Sequence, residues 1–325
     1  MGNPIASYRN LGMEAVRATE ASAIAAFRYL GGGDERAADR AAVSAMYNAL
    51  QKFPVDGTIR IGETSVNEGE LYEGQKVGTG DGPKADVALV AIEGANIVAR
   101  GGYNALSVLA LAEEGCLLTV PDIYMDKIAV GPDIDSSTID LDKSPSENLA
   151  AVAKCKGVDV SDVQVCLLDR PRHSQLIAAI RETGARVQLL LDGDVNGAVA
   201  AGITGSSVDM YMGIGGAPQG VLAAAALRTL GGSMQGRLVI RNSDDRTKAL
   251  GAGVDDSEKK LSLEEMVGEH VTFAATGITQ GPMLDGVRLG LDKAVTHSML
   301  MRSRTGTLRF IEGHHDFLRK LKDGP

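Results

Sequence analysis

An arginine-rich turn, Arg170-Pro171-Arg172-His173, is the clearest candidate in this sequence for binding an anion. It follows the apolar run Val163 to Leu168 and precedes a segment with helical spacing, so it lies where a strand ends and a helix begins. Each guanidinium offers a planar fork of donors, and the N–H groups at a helix start add positive potential. A solvated charged turn that pairs with Asp169 is the simpler alternative. The pattern alone leaves both open: this charged turn, or a phosphate site to which His173 could also donate.

A glycine-rich segment, Gly213 to Gly220, is a second candidate for contact with a phosphorylated ligand. It follows the apolar run Val208 to Met212, and glycine lets backbone N–H groups approach an oxyanion closely. The spacing is not that of the dinucleotide fingerprint G-x-G-x-x-G, because Pro218 occupies the place of its last glycine. A turn that only packs a helix onto a sheet remains the alternative.

Carboxylates supply the third kind of chemistry. Asp192-Gly193-Asp194 ends a predicted strand, where two acids around a glycine can hold sugar hydroxyls or a cation. Asp39, Glu63 and Glu93 each lie beside a glycine or at the end of a predicted element, and oxygen ligands from separate segments suit Mg²⁺ or Mn²⁺. Surface loops also contain such acids, so spacing alone leaves both interpretations open.

Composition argues against several other functions. The 325 residues carry 33 Lys+Arg and 42 Asp+Glu, and the net charge of −9 is unsuited to nucleic-acid binding. The three cysteines form no C-x-x-C pair, which predicts neither disulfides nor zinc and favours a cytoplasmic protein. The N-terminal region lacks the apolar core of a secretory signal, and the apolar stretch Val221 to Leu227 stops at Arg228, too short for a membrane span.

Motifs of other enzyme classes are missing from the sequence. It contains neither a G-x-S-x-G nucleophile elbow nor a Walker A loop. The remaining histidines, His270, His297, His314 and His315, lack the spacing of metal ligands. Serine hydrolase and P-loop NTPase functions therefore lose support.

Hydrophobic spacing predicts an α+β front half and an α/β back half. In the front half, helices are expected first and strands after: Met13 to Leu30, Glu35 to Leu50, then Thr58 to Ile61, Ala85 to Ile92, Leu106 to Leu111, Cys116 to Val120 and Lys127 to Val130. A capping box at Ser144 begins a helix near a domain connection, which divides the chain into domains 1–150 and 151–325.

Strands and helices alternate in the back half, as in a parallel α/β unit whose ligands bind at the carboxyl ends of its strands. The expected order is strand Val163 to Leu168, helix His173 to Thr183, strand Val187 to Leu191, helix Val195 to Ala201, strand Val208 to Gly213, helix Pro218 to Leu230 and strand Arg237 to Ile240. The polar segment Asn242 to Glu265 is expected to be a loop.

Several motifs in register resemble the class II fructose-1,6-bisphosphatase family over roughly residues 10–315. They are Ile61-Gly62-Glu63, Lys76 to Gly80, Ile92-Glu93-Gly94, Asn104-Ala105-Leu106, Pro121 to Met125, Pro171-Arg172-His173, Asp192 to Val195, Gly213 to Pro218 and Ala275 to Thr279. The resemblance implies a layered α/β sugar-phosphatase fold (αβαβα), with a metal and phosphate domain in front and a sugar-phosphate domain behind. It also implies hydrolysis of the 1-phosphate of fructose 1,6-bisphosphate with Mg²⁺ or Mn²⁺.

The resemblance assigns roles to individual residues. It implies that Asp39, Glu63 and Glu93 are catalytic metal ligands. It also implies sugar-phosphate contacts, which together with His173 from the turn give the set Gly94, Tyr124, Arg170, Arg172, His173, Asp192, Asp194 and Gly216. The mechanism implied is attack by a metal-activated water on a metal-polarised phosphoryl group.

Departures from the family pattern fall on the metal site. The family's D-P-I-[DE]-G-T is Val90-Ala91-Ile92-Glu93-Gly94-Ala95 here, and the ligand glutamate of G-G-A-P-E-G is Gln219. Ser65 replaces an acid, and Arg40 replaces a glycine and, if it points inward, supplies a fixed cation. We therefore expect one weak metal site at most, beside an intact sugar-phosphate site.

Three functions fit this pattern. The first, and the one we favour, is hydrolysis of a sugar bisphosphate by a homodimer or homotetramer that binds neither nucleic acid nor membrane. The second is a lyase or isomerase in which Glu63 or Glu93 is a general base. The third is an inactive, regulatory homologue that binds the sugar phosphate without turnover.

Overall fold

The computed structural model describes residues 4–63, 69–254 and 256–320, and side chains from residue 11 to residue 319. The chain forms two compact units. Unit 1 comprises Met1–Glu114, Thr272–Arg302 and Thr307–Pro325, and unit 2 comprises Gly115–Val271 and Ser303–Gly306. The first segment of unit 1 ends at Glu114 rather than near residue 150, and the chain returns to that unit at Thr272, so the units are not the consecutive domains 1–150 and 151–325.

The α/β fold class predicted from the sequence is confirmed. In the described residues the strands are β1 (Asp56–Ile61), β2 (Lys76–Val77), β3 (Lys84–Glu93), β4 (Leu106–Glu113), β5 (Tyr124–Val130), β6 (Gln164–Leu168), β7 (Arg186–Leu190), β8 (Met210–Gly216), β9 (Ser233–Val239), β10 (Leu261–Ser262), β11 (Val271–Gly277), β12 (Arg288–Leu289), β13 (Lys293–Arg302) and β14 (Thr307–Asp316).

The α-helices in the same residues are α1 (Pro4–Phe27), α2 (Glu35–Leu50), α3 (Ala95–Arg100), α4 (Pro145–Lys156), α5 (Ser174–Glu182), α6 (Asp194–Gly202), α7 (Ala217–Leu230), α8 (Ser243–Gly251), α9 (Leu263–Met266) and α10 (Phe317–Lys320). None of the helices in the described ranges is both long enough and apolar enough to cross a membrane.

Unit 1 is built on a mixed sheet covered by α1 and α2. The strand order is β12-β13-β11-β4-β3-β1-β2, and β14 pairs with β13. β1 and β3 are parallel, whereas β3 and β4 are antiparallel. The helices bury Ala42, Val43 and Met46 of α2 against strand residues such as Val87 and Leu89. This apolar contact is the main driving force for the unit.

Unit 2 is a second mixed sheet with the order β10-β9-β5-β8-β6-β7. β6 is parallel to β7 and β8, as expected, but β5 is antiparallel to both β8 and β9. The carboxyl ends of β6, β8 and β9 therefore lie at the same edge as the start of β5. That edge carries the arginine-rich turn, the glycine-rich segment and Tyr124.

Helices cover both faces of this second sheet, and β5 directs alternate side chains to each of them. Ile128 and Val130 belong to the core that contains Leu149 of α4 and Ile177 of α5. On the opposite face, the side chain of Met125 lies so close to Gly220 of α7 that a Cβ there would be 2.6 Å from its sulfur. Unit 2 is thus a three-layer α/β/α arrangement.

Some predicted elements differ from those observed. The expected strand Cys116 to Val120 forms only an isolated bridge between Leu117 and Val267. The segment Asn242 to Glu265, expected to be a loop, contains α8. Only Asp245 and Ala249 of this helix are buried, so its sequence lacks the apolar spacing that would predict a helix. The side chain of Asn242 accepts from Asp245 N at 2.8 Å and caps the start of α8.

Candidate active site

Arg172 projects from the arginine-rich turn and packs against Tyr124. Its Nε and Nη2 donate to the carbonyl oxygen of Ile214 at 2.9 and 2.8 Å. Its Cζ lies 4.8 Å from the centroid of the Tyr124 ring, a cation–π distance. Tyr124 is also the register partner of Gly216 across the β5–β8 pair. The structure therefore brings together three of the residues expected to contact a sugar phosphate.

The charge of Arg172 has no acidic partner in the part of the chain that the structure describes. No carboxylate in the described residues lies within ion-pair distance of it. Its two bonds to Ile214 use Nε and Nη2, which leaves Nη1 directed elsewhere. An exposed guanidinium that is held in place by a backbone carbonyl, but not neutralised by it, is suited to bind a phosphate.

His173 is occupied on both ring nitrogens, and its side chain is only 1% exposed. Nε2 accepts from Ile214 N at 2.9 Å, so the proton lies on Nδ1, 2.7 Å from the carbonyl oxygen of Leu168. Burial lowers the pKa of His173, and the neighbouring charge of Arg172 lowers it further. The neutral ring therefore holds the Ile214 backbone in place and offers no donor to a phosphate, contrary to the expectation from sequence.

Arg170 and Asp192 link the ends of β6 and β7. Arg170 Nη2 lies 3.4 Å from Asp192 Oδ1, and Gly193 N donates to the same oxygen at 3.0 Å. Towards Asp169, Arg170 donates only to the backbone carbonyl, at 3.2 Å. The structure therefore does not show the alternative, a charged turn in which Arg170 pairs with the Asp169 carboxylate. Both side chains are partly exposed and accessible to a polar ligand.

Asp194 is held by a buried lysine that the sequence analysis did not single out. Lys127 Nζ forms an ion pair with Asp194 Oδ2 and donates to the carbonyl oxygen of Gly216 at 2.9 Å. A Cβ on Gly215 would lie 1.9 Å from Asp194 Oδ2. The close approach of Asp194 to β8 therefore requires a glycine at position 215. The carboxylate of Asp194 is occupied by its ion pair with Lys127. A lysine inside a buried strand was the available signal, since a buried charge needs a partner.

In unit 1, Glu63 lies beside the backbone of β3 where that strand is irregular. The register between β3 and β4 shifts between Val90 and Glu93, which takes Ala91 out of the regular ladder. Ala91 N donates to Glu63 Oε1 at 2.8 Å, and Ser22 Oγ of α1 donates to Ala91 O at 2.9 Å. The peptide of Ala91 thus fixes Glu63 next to the segment that leads to Glu93.

Glu63 is an unusual carboxyl group. Burial raises its pKa to about 7, and the negative charge of Asp39 adds to the increase, while the hydrogen bond from Ala91 N opposes it. Asp39 on α2 is therefore close enough to Glu63 to interact electrostatically. Two of the three carboxylates expected to bind a metal are brought together in this way.

Glu93 ends β3 and is 5% exposed. The following Gly94 has φ +94°, a left-handed conformation that favours glycine, and α3 begins at Ala95 directly after it. Val90 is half-buried on β3, where it contributes an apolar side chain at the position of an expected ligand. The apolar residue at this expected ligand position is therefore part of strand β3 itself.

The acidic pair Asp39 and Glu63 fits one divalent cation. A cation would relieve their repulsion, and Mg²⁺ is commonly held by one or two carboxylates while water and substrate phosphate complete its coordination. Across the described ranges, no three His, Cys, Asp or Glu side chains form a cluster suited to hold a metal ion. Among the described residues, Asp39, Glu63 and Glu93 therefore do not form such a three-ligand cluster.

The other departures from the family pattern have different surroundings. Arg40 is exposed and lines a groove of about 380 Å³ with Tyr29, Ser44 and Glu70, so it does not point inward as a fixed cation. The side chain of Gln219 covers Gly216, where a Cβ would lie 1.9 Å from Gln219 Oε1. Ser65 lies outside the described residues.

Comparison with known proteins agrees with the resemblance seen in the sequence. Residues 9–315 match the family model of bacterial fructose-1,6-bisphosphatase, glpX-encoded. The chain is 41% identical over 329 aligned positions to fructose-1,6-bisphosphatase 1 class 2 of Escherichia coli (strain K12), covering 96% of this chain and 97% of that protein. Class 2 enzymes of Escherichia coli O6:H1 and of Shigella flexneri match to the same extent.

The α/β fold is consistent with that of a sugar-phosphate phosphatase. With a match over nearly its whole length, the chain belongs to the class II fructose-1,6-bisphosphatase family, whose members are metal-dependent phosphatases.

Proposed function

We propose that this protein hydrolyses the 1-phosphate of fructose 1,6-bisphosphate, or of a similar ketose bisphosphate. The observation that carries the proposal is Arg172, a guanidinium fixed by two bonds to Ile214 O and stacked on Tyr124, with no carboxylate partner among the described residues. Such a cation suits the phosphate that stays on the sugar. The family to which the chain belongs supplies the class of reaction.

The residues of unit 2 bind and orient the substrate in this proposal. Arg172 and Tyr124 contact the phosphate that is not hydrolysed, next to the backbone of Gly216. Arg170 and Asp192, which are partly exposed, contact sugar hydroxyls. Because a phosphoryl transfer depends mainly on positioning and charge neutralisation, fixed donors of this kind are what the reaction needs.

The residues of unit 1 supply the metal chemistry in this proposal. Asp39 and Glu63 would hold a single Mg²⁺ or Mn²⁺ ion, and Gly94 lies directly before α3. Such a cation, when bound, polarises a phosphoryl oxygen and lowers the pKa of a bound water. Glu63 accepts from Ala91 N through Oε1, so Oε2 remains for the ion or, near neutral pH, for a proton. Glu93 places a buried carboxyl group at the end of β3.

Metal binding is proposed to be weak. Val90 and Gln219 occupy two positions where the family pattern has acidic ligands, and each lost carboxylate removes a charge that offsets the charge of a cation. We expect occupancy at millimolar Mg²⁺ or Mn²⁺. The protein is further proposed to be a cytoplasmic homodimer or homotetramer, which light scattering on the purified chain and cell fractionation test.

Phosphate release tests the proposed function. The purified protein is incubated with fructose 1,6-bisphosphate and Mn²⁺, and both inorganic phosphate and the sugar product are measured, with a chelator as control. We expect one phosphate and fructose 6-phosphate, both abolished by the chelator. A changed carbon skeleton without phosphate release would instead indicate a lyase or isomerase, and binding without turnover would indicate an inactive homologue.

A further inference from the structure

Arg241 is a second guanidinium on the Tyr124 ring. Its Cζ lies 4.0 Å from the ring centroid, closer than that of Arg172 at 4.8 Å. Arg241 follows the carboxyl end of β9, and Val239 of that strand is the register partner of Tyr124. Gly216 and Arg241 therefore flank Tyr124 from the two neighbouring strands, at the edge where Arg172 also lies.

Asp245 fixes this second arginine. Arg241 Nε and Nη2 donate to the two carboxylate oxygens of Asp245, at 2.9 and 3.2 Å. The backbone N of Arg241 donates to Asp245 Oδ2 as well, at 3.0 Å. Asp245 is only 2% exposed, whereas the side chain of Arg241 is 47% exposed. The Nε edge of the guanidinium is thus anchored in the protein, while the side chain as a whole remains partly exposed.

Two cations on one aromatic ring repel each other unless an anion lies near both. Asp245 compensates one of them, but it contacts the Nε side of Arg241, and Arg172 has no carboxylate partner among the described residues. The cluster of Tyr124, Arg172 and Arg241 therefore has an excess positive charge on a partly exposed surface. A dianionic phosphate matches that charge, and guanidinium N–H groups form strong charge-assisted hydrogen bonds with phosphate oxygens.

We propose that Arg241, positioned by Asp245, is a further contact for the phosphate that stays on the sugar, and that it makes the site specific for phosphorylated sugars. This inference rests on the proposed function for the choice of sugar phosphate. Arg241 binds the ligand, and Asp245 is a positioning residue that acts through Arg241.

Calorimetry with fructose 6-phosphate in the presence of a chelator tests the inference without requiring hydrolysis. Losing one charge-assisted phosphate contact lowers affinity about 10- to 150-fold, so we expect R241Q to lose this much. Arg246 is the matched control, because it is an exposed arginine on α8, the helix that carries Asp245 and begins two residues after Arg241, and R246Q should bind within about twofold of the wild type. Unphosphorylated fructose should bind the wild type so weakly that R241Q produces no measurable change in its affinity.

A double-mutant cycle separates the role of Asp245 from general stability. D245N should weaken binding of fructose 6-phosphate, but it should add almost nothing when R241Q is already present, because its effect passes through Arg241. Additive losses would contradict the positioning role. Circular dichroism melting checks the fold of each variant, and R241K, which keeps the charge but not the fork, replaces R241Q if that variant does not fold. For R241K we expect a loss of at least about threefold.

The inference is overturned if folded R241Q binds fructose 6-phosphate as the wild type does, or if R246Q loses as much. The outcome is distinguishable from a failure of the proposed function. A wild-type protein that binds fructose 6-phosphate through Arg241 but releases no phosphate from fructose 1,6-bisphosphate would contradict the phosphatase function alone. Normal phosphate release with an unaffected R241Q would contradict this inference alone.

Discussion

Three arginines, Arg170, Arg172 and Arg241, lie at the edge of the second sheet where β6, β8 and β9 end. They differ in how their charges are compensated. Arg170 shares its charge with Asp192, and Arg241 shares its charge with Asp245. Arg172 bonds to the carbonyl of Ile214 and stacks on the ring of Tyr124, and no carboxylate pairs with it among the residues that the structure describes. The residue with the least compensated charge is therefore the one from which a phosphate gains most.

Replacing Arg172 with alanine should weaken fructose 6-phosphate binding about 10- to 150-fold, the value of one charge-assisted phosphate contact. Because the variant also frees Ile214 O, its melting temperature should be measured alongside. The exposed Arg181 on α5 provides a control, since R181A changes the same residue type away from Tyr124. Calorimetric titrations that are superimposable for wild type and R172A would place the phosphate elsewhere.

The raised pKa of Glu63 predicts how stability depends on pH in the presence of a chelator. Its pKa is about 7 in the folded protein against an ordinary value of 4.5. Between these values the folded state binds more protons than the unfolded state, so this group lowers stability as pH rises, by roughly 3 kcal/mol in total. E63Q keeps an acceptor for Ala91 N but does not titrate.

Urea unfolding of both proteins measures this difference. Since the other titrating groups are common to the two proteins, E63Q should gain on the wild type as pH rises from below 4.5 to above 7. A stability difference that stays constant over this pH range would show that Glu63 ionises normally in the folded protein.

At the scale of elements, glycines allow β8 to approach its neighbours. Gly215 lies against the Lys127–Asp194 ion pair, where a Cβ would be 1.9 Å from Asp194 Oδ2 and 2.8 Å from Lys127 Nζ. A methyl group cannot fit without separating the pair or moving the strand. The glycine-rich segment therefore serves the packing of β8, while its contact with a ligand stays a prediction.

Gly215→Ala should destabilise unit 2 by about 1–3 kcal/mol, the usual range for overpacking, and should weaken fructose 6-phosphate binding. Gly251→Ala is the matched control, because no atom lies within 4 Å of a Cβ at that position and its φ is not positive. Urea unfolding of the two variants provides the test. Equal stability of both would mean that the ion pair adjusts without cost.

Much of the element order was predictable because it depends on local patterns. The helix over Glu35 to Leu50 and the capping box at Ser144 are confirmed. The antiparallel placement of β5 was not predictable, since pairing depends on contacts between strands distant in the sequence. For the same reason Arg241 and Lys127 escaped notice: neither belongs to a motif, and each matters only through a partner brought near by the sheet.

At the scale of the whole molecule, the two units have departed unequally from the family pattern. Unit 2 keeps the residues that we assign to the sugar phosphate, including Tyr124, Arg172 and Asp192. The replacements in unit 1, Val90 and Ala95, fall on the segment that leads to Glu93. Gln219 is the departure within unit 2. The central claim is that this chain is a sugar bisphosphatase with a reduced metal site.

Restoring the family residues tests that claim most directly, through phosphate release from fructose 1,6-bisphosphate across a range of Mg²⁺ concentrations. The triple variant V90D/A95T/Q219E should release phosphate orders of magnitude faster than the wild type and at lower Mg²⁺, because a second ion stabilises both the attacking and the leaving oxygen. Since Arg40 is exposed and screened, adding R40G should change the rate little. A triple variant that folds, binds fructose 6-phosphate and Mg²⁺, and releases phosphate no faster than the wild type would contradict the account.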